Sequence, residues 1–176
     1  MVMELFDVMV KRRSVRKYTD EKIPADKLER ILQAALLAPT SRNICPCEFI
    51  VVQDDETLQK LSKAKNAGSA MIAQAACAIV VVGDGEKTDV WCEDCSIAMT
   101  YMHIMATDLG LGSCWVQCRL RRSSDGRSAE DYVRELLSIP ENYCVEAILA
   151  LGIPESFPEA NDIDKLKLEK IHREKF

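Results

Sequence analysis

Residues 93–119, EDCSIAMTYMHIMATDLGLGSCWVQCR, hold the pattern on which the fold turns. Ile97, Met99, Met102, Ile104, Met105 and Leu109 set apolar side chains nearly all the way round a helix over 93–109, the longest in the chain. A helix with no clear polar face packs centrally. Gly110 ends it, and Gly112 permits a tight turn into a strand over 113–119. Helix-to-strand order is the reverse of a dinucleotide-binding start. GxGxxG is absent as well, and so is a phosphate-binding P-loop.

Outward from that centre the elements follow in mixed order. Downstream, residues 121–127 are an exposed polar loop, Ser128 caps a helix with Asp131 as its return partner, and 144–151 is the last strand. Upstream, 49–52 and 77–82 are short buried strands. Helices are expected over 4–12 (Leu5, Val8, Met9 and Arg12 in one stripe), 24–37 and 55–64, with a further helical stretch from Ser69. The second opens at Pro24, carries Leu28, Ile31, Leu32, Ala35 and Leu36 at the 3.6-residue period, and is ended by Pro39. Beyond Pro154 the chain is polar until Leu166, Leu168 and Ile171, so this tail either stays disordered or lies against a partner.

Composition bounds the function. The chain has 176 residues, 48% hydrophobic and 29% charged, which fits one soluble domain with its own core. A net charge of −5 leaves no basic field to draw nucleic acid or anionic membrane. The start, MVMELFDVMVKRR, carries acids at Glu4 and Asp7 and does not read as a leader. No run reaches the ~20 apolar residues of a membrane span. The protein therefore reads as cytoplasmic, and its eight cysteines as free thiols rather than a disulfide framework. Cys77 and Cys144, inside apolar runs, read as small buried hydrophobes.

Three segments carry candidate chemistry. In Arg12-Arg13-Ser14-Val15-Arg16, an extended backbone puts Arg12, Ser14 and Arg16 on one face, two guanidinium forks and a hydroxyl suited to a phosphate. The same cations also suit a helix C-terminus or a solvated basic run. The polar loop 39–47, PTSRNICPC, is a ligand-contacting loop or an ordinary connection. The stretch 110–117, GLGSCWVQ, allows close backbone approach.

In order along the chain, RRSVRKYTDEKIP, LLAPTSRNICPCEFIVV, EDCSIAMTYMHIMATDLGLGSCWVQCRLR and ELLSIPENYCVEAILALGIPE, followed by the tail LEKIHREKF, resemble the FMN-dependent nitroreductase family, here its short NAD(P)H-dependent oxidoreductase members. The resemblance implies an α+β fold, a three-layer α/β/α arrangement around a mixed, largely antiparallel sheet, in an intertwined homodimer with FMN at the interface. It also implies a core domain over 1–153 and an extension over 154–176 that packs on the partner protomer. By position, Arg12, Ser14 and Arg16 look like phosphate and ribityl ligands, and Arg13 lies near the isoalloxazine edge. Ser41, Asn43 and Cys45 belong to a loop reaching the flavin from the other protomer, and the backbone at Cys114, Trp115 and Val116 lies near the ring. Lys65 and Lys170 are further contacts. Hydride passes from NADH or NADPH to flavin N5 by a ping-pong mechanism. The acceptor is a nitro compound, a quinone or a similar electron-poor small molecule, and no protein acid or base is required.

Two departures from that pattern stand out. The family's N-x-Q-P-W is Asn43-Ile44-Cys45-Pro46-Cys47 here, so Cys45 stands for Gln and Cys47 for Trp, which points to a wider acceptor cleft with oxidation-sensitive thiols. Cys92-Glu93-Asp94-Cys95 is a CxxC, and a cysteine-ligated metal or redox site is the rival reading. Cys114 and Cys118, on one strand, would lie ~13 Å apart and make a poor second pair, whereas Cys45 and Cys47 stay open. A non-catalytic flavin or nucleotide sensor is a third reading. His103 reads as a helix residue with a satisfied hydrogen bond, and His172 as part of the tail.

Overall fold

Alternation along one strand sets the layers. In residues 77–84, Ala78, Val80 and Val82 pack to one side and Cys77, Ile79 and Val81 to the other, so the strand is covered on both faces and must be interior. The computed structural model describes residues 4–176; the first three residues of the stretch that does not read as a leader lie outside the described residues. The sheet comprises β1 (Cys47–Val52), β2 (Cys77–Asp84), β3 (Gly112–Gln117) and β4 (Tyr143–Gly152), in spatial order β1-β2-β4-β3. Its ladders are antiparallel, and a parallel component enters through the bridge between Ser14 and Ser113.

Helices α2 (Ala25–Leu36) and α4 (Trp91–Asp108) cover one face, where Ile31, Met99 and Met102 meet Ile79 and Leu149. Helices α3 (Asp55–Leu61) and α5 (Ala129–Leu137) cover the other, where Leu58, Leu61 and Val133 meet Val80, Val116 and Ile148. The short α1 (Leu5–Lys11) rests on α4. This is the three-layer α+β arrangement with α4 central. Among the described residues no helix is long and apolar enough to cross a membrane.

Local expectations fail where tertiary contacts override them. The stretch from Ser69 is a 3-10 turn (Ala70–Gln74) rather than an α-helix, and α3 stops at Leu61 rather than at 64. Ser128 does cap α5, accepting the Asp131 N–H at 3.4 Å. The Asp131 carboxylate, however, turns to Arg134 at 2.8 Å instead of returning to the cap. Cys144 is half-buried rather than fully inside. On α1 only Val8 is buried; Leu5 and Met9, expected to share its stripe, are exposed, as are Ile97 and Tyr101 on α4. The apolar periodicity of both helices therefore exceeds what one protomer buries.

The tail has two parts. Pro154 bridges Tyr18, the Glu155 N–H donates to Lys17 O (3.2 Å), and the Asn161 N–H donates to Val10 O (2.9 Å), so 154–161 runs along its own chain. From 162 onward every residue is exposed, including Ile163, Leu166, Leu168, Ile171 and Phe176.

Candidate functional site

Val15 sets the geometry of the basic segment. Its N–H donates to Ser113 O at 2.9 Å, its side chain enters the core, and the buried Tyr18 hydroxyl donates to its carbonyl at 2.8 Å. Two glycines permit this docking. A Cβ at Gly112 would stand 2.8 Å from Val15 Cγ1, and one at Gly152 would stand 2.7 Å from Tyr18 Cδ1. With Val15 inward, alternation turns Ser14 and Arg16 the other way.

What those side chains surround is shown by the buried thiol of Cys114. Burial, the largest effect, raises its pKa, while the positive charges of Arg16, Lys65 and Arg12 and a hydrogen bond with Ser14 pull it down. Arg16, Lys65 and Arg12 therefore lie near enough for their charges to act on Cys114, and Ser14 is in hydrogen-bond contact with it. Among the described residues none of these three cations is in an ion pair. Neighbouring cations without acidic partners are the kind of group that can hold an anion. Lys65 joins from the loop after α3, from a position that no sequence spacing could tie to the arginines. Arg13 is turned aside and donates to the Glu159 backbone carbonyl in the tail.

The strand beside this cluster has a free edge. β3 pairs with β4 on one side only, and Ser113 faces the other way to receive Val15. Residues two apart on a strand share an edge, so the Trp115 backbone N–H and C=O face the same open side. The Cys114 and Val116 side chains point into the core. Behind Trp115, its indole stacks on His103 (centroids 6.4 Å apart) and donates to Gln117 Oε1 at 2.8 Å. His103 is hydrogen-bonded to Ser113 Oγ at 2.8 Å, as expected for a structural histidine, and burial, with a smaller effect of Arg12, lowers its pKa to about 4.

The loop before β1 lies at the opposite edge of the sheet. Arg42, Asn43 and Cys45 adopt left-handed backbone (φ 51, 55 and 51), which costs about 1–2 kcal/mol per non-glycine residue. The shape is held by the Ser41 N–H donating to Asp94 Oδ1 (2.9 Å) and the Cys45 N–H donating to Thr40 Oγ1 (3.1 Å). Asp94 is buried, and its Oδ2 has no partner. Sequence reasoning missed it; the acidic pair Glu93-Asp94 in the first turn of an apolar helix was the available signal. One protomer therefore brings Arg12, Ser14, Arg16, Lys65 and the β3 edge together. Ser41, Asn43 and Cys45 stand apart from them, and Lys170 lies in the exposed tail.

The CxxC does not act as a pair. The Cys92 thiol donates to Glu146 Oε2 at 3.1 Å, and burial followed by that bond pushes its pKa up to about 11. The Cys95 thiol instead meets Cys47 Sγ at 3.5 Å. Cys47 is half-buried, with its sulfur against Cys95 on α4, and it lines a surface cavity of about 380 Å³ with Leu32, Leu36, Phe49 and Val51. Cys45 is exposed. Among the described residues no group of three or more His, Cys, Asp or Glu side chains is arranged to hold a metal.

Known proteins resemble this chain in sequence and fold. A family model described as "Nitroreductase family" matches residues 9–70 and 63–153. The chain is 39% identical to a putative NADH dehydrogenase/NAD(P)H nitroreductase of Archaeoglobus fulgidus, covering 98% of this chain and 99% of that one. A protein of the same description in Methanothermobacter thermautotrophicus is 34% identical over 96% of this chain and 88% of its own. The solved structure of an FMN-dependent nitroreductase from Clostridium difficile superposes with a TM-score of 0.94 at 43% identity, covering 97% of this chain and 99% of that one. Sequence and fold agree: the chain belongs to the Nitroreductase family.

Proposed function

We infer that the chain is an NAD(P)H-dependent FMN oxidoreductase that reduces electron-poor small molecules such as nitro compounds and quinones. The observation that carries the reading is the nearness of Arg12, Arg16, Lys65 and Ser14 to Cys114 on the edge strand β3, the three cations having no ion pair among the described residues. These residues fit a flavin mononucleotide. Two guanidinium forks and a hydroxyl replace the hydration of a phosphate monoester, and Lys65 adds a third positive charge. The Trp115 backbone groups at the strand edge are the natural partners for the polar rim of a flat heterocycle. Bound there, FMN supplies the redox chemistry, accepting hydride from the reduced nicotinamide and returning it to the acceptor in a second half-reaction.

The working unit in this reading is a homodimer, with 1–153 as the flavin-binding domain and 154–176 as the extension. Support comes from Ser41, Asn43 and Cys45 at the far edge of the sheet, where they serve a site completed by a second copy. The apolar side chains left exposed on α1, α4 and the tail match a surface that a partner covers. Lys170 contributes, if at all, across that interface. Cysteines that all remain thiols suit a reducing cytoplasm. Steady-state oxidation of NADH and NADPH with a quinone tests the enzyme reading. Parallel double-reciprocal lines are expected; intersecting lines overturn the two-step scheme, and no turnover favours a flavin sensor.

A further inference from the structure

Cys47 and Cys95 are 48 positions apart in sequence, yet their sulfurs lie 3.5 Å from each other, and the Cys95 thiol donates to Cys47. The fold builds this approach. Cys47 is the first residue of β1, and its partner across the ladder is Gly83. A Cβ on Gly83 would stand 2.9 Å from Cys95 Sγ, so the space in which that thiol reaches Cys47 exists because residue 83 has no side chain. The two thiols differ in setting. Cys47 is half-buried and its pKa is lowered, chiefly by the hydrogen bond from Cys95. Cys95 is fully buried and raised, chiefly by the same bond and then by burial. One sulfur is therefore reachable from outside and the other lies buried behind it, the division that a thiol pair with a resolving partner requires.

We propose that Cys47 and Cys95 are a redox-active thiol pair that closes to a disulfide when the protein meets a hydroperoxide. The Cys47 thiolate attacks the terminal peroxide oxygen, the O–O bond breaks, and the departing alkoxide or hydroxide takes up a proton, leaving Cys47 as a sulfenic acid. Cys95 sulfur then attacks Cys47 sulfur, the S–O bond breaks and water leaves with the Cys95 proton. Two thiols lose two electrons and the peroxide gains them. Closing from 3.5 Å to a bond of ~2.05 Å requires the two sulfurs to approach by about 1.5 Å. The bond would also tether a loop. Asp94 and Cys95, adjacent on α4, hold Ser41 at one end of the 41–47 segment and Cys47 at the other.

The test is a thiol map of the reduced, FMN-loaded protein after graded hydrogen peroxide, with free thiols blocked by N-ethylmaleimide before non-reducing digestion and mass spectrometry. The expected product joins the Cys47 and Cys95 peptides, two hydrogens lighter than their sum, and forms without a change in oligomer size. In Cys95→Ser, Cys47 should instead accumulate as a sulfenic acid trapped by dimedone. In Gly83→Ala the cross-link should be lost. A bond from Cys47 to Cys45 or Cys92, or to a second copy, overturns the assignment. So does a wild-type map in which exposed Cys45 oxidises while Cys47 and Cys95 both remain blocked by the reagent. The wild-type map decides even if a variant fails to fold, and it stands apart from the flavin assignment because it reads thiols alone.

Discussion

Replacing Gly112 by Ala should unseat the anion site while leaving most of the fold in place. The new Cβ would lie 2.8 Å from Val15 Cγ1, 2.9 Å from Val15 Cβ and 3.2 Å from Pro154 Cβ. Carbon atoms rest at about 3.5–4.0 Å, so Val15 must retreat by roughly 1 Å. Overpacking of this kind costs ~1–3 kcal/mol, which a domain of ordinary stability survives. The Val15–Ser113 hydrogen bond places Ser14 and Arg16, and a shift of ~1 Å in that segment takes charge-assisted bonds out of range. Losing one such bond, worth ~1.5–3 kcal/mol, weakens FMN binding by roughly ten- to a hundredfold. Fluorescence titration of the apoprotein with FMN reads the affinity, and thermal melting of the same apoprotein reads the fold. A lowered melting temperature with unchanged FMN affinity would refute the claim that docking of Val15 on β3 positions the site.

Other outcomes follow from the same geometry. Arg16→Ala should weaken FMN ten- to a hundredfold and leave riboflavin, which lacks the phosphate, almost unaffected; equal losses for both would mean that Arg16 does not read phosphate. Deleting 162–176 should reduce dimerisation and flavin occupancy while sparing the protomer, whereas deleting 154–176 also strips contacts from residues 10–18; a fully loaded dimer after either cut contradicts the extension's role. Burial, with a smaller effect of Arg12, lowers the His103 pKa to about 4. The unfolded chain therefore binds the extra proton first, and His103 contributes stability that is complete above about pH 6.5 and lost as pH falls toward 4. Urea unfolding at pH 7 and pH 5 should show this loss in wild type and a smaller one in His103→Gln; equal losses would remove His103 from the explanation.

Much of this was legible because local rules and tertiary packing agree. The all-round apolar helix followed by Gly110 and Gly112 does sit centrally and does feed an edge strand, and Arg12, Ser14 and Arg16 lie near enough to act on Cys114 of that strand. Legibility stops where a residue's partner is distant in sequence. Lys65, in the loop after α3, acts on Cys114 together with Arg12 and Arg16, and nothing in its sequence neighbourhood announces that. The CxxC is the clearest case: its spacing invites a pairing of Cys92 with Cys95, yet packing of α4 on the sheet sends one thiol to Glu146 and the other to Cys47. The stripe expected on α1 and the all-round apolar surface expected on α4 are buried only in part, with Leu5, Met9, Ile97 and Tyr101 exposed, because periodicity reports an apolar face and not what packs against it.

The most direct measurement is the absorbance spectrum and released cofactor of the purified protein, with its molar mass in solution determined on the same sample. The account predicts a yellow protein that releases FMN on denaturation at about one equivalent per chain and has the mass of a dimer of the 19.8 kDa chain. A colourless protein that takes up no added FMN, with Arg12, Arg16 and Lys65 intact, would contradict it.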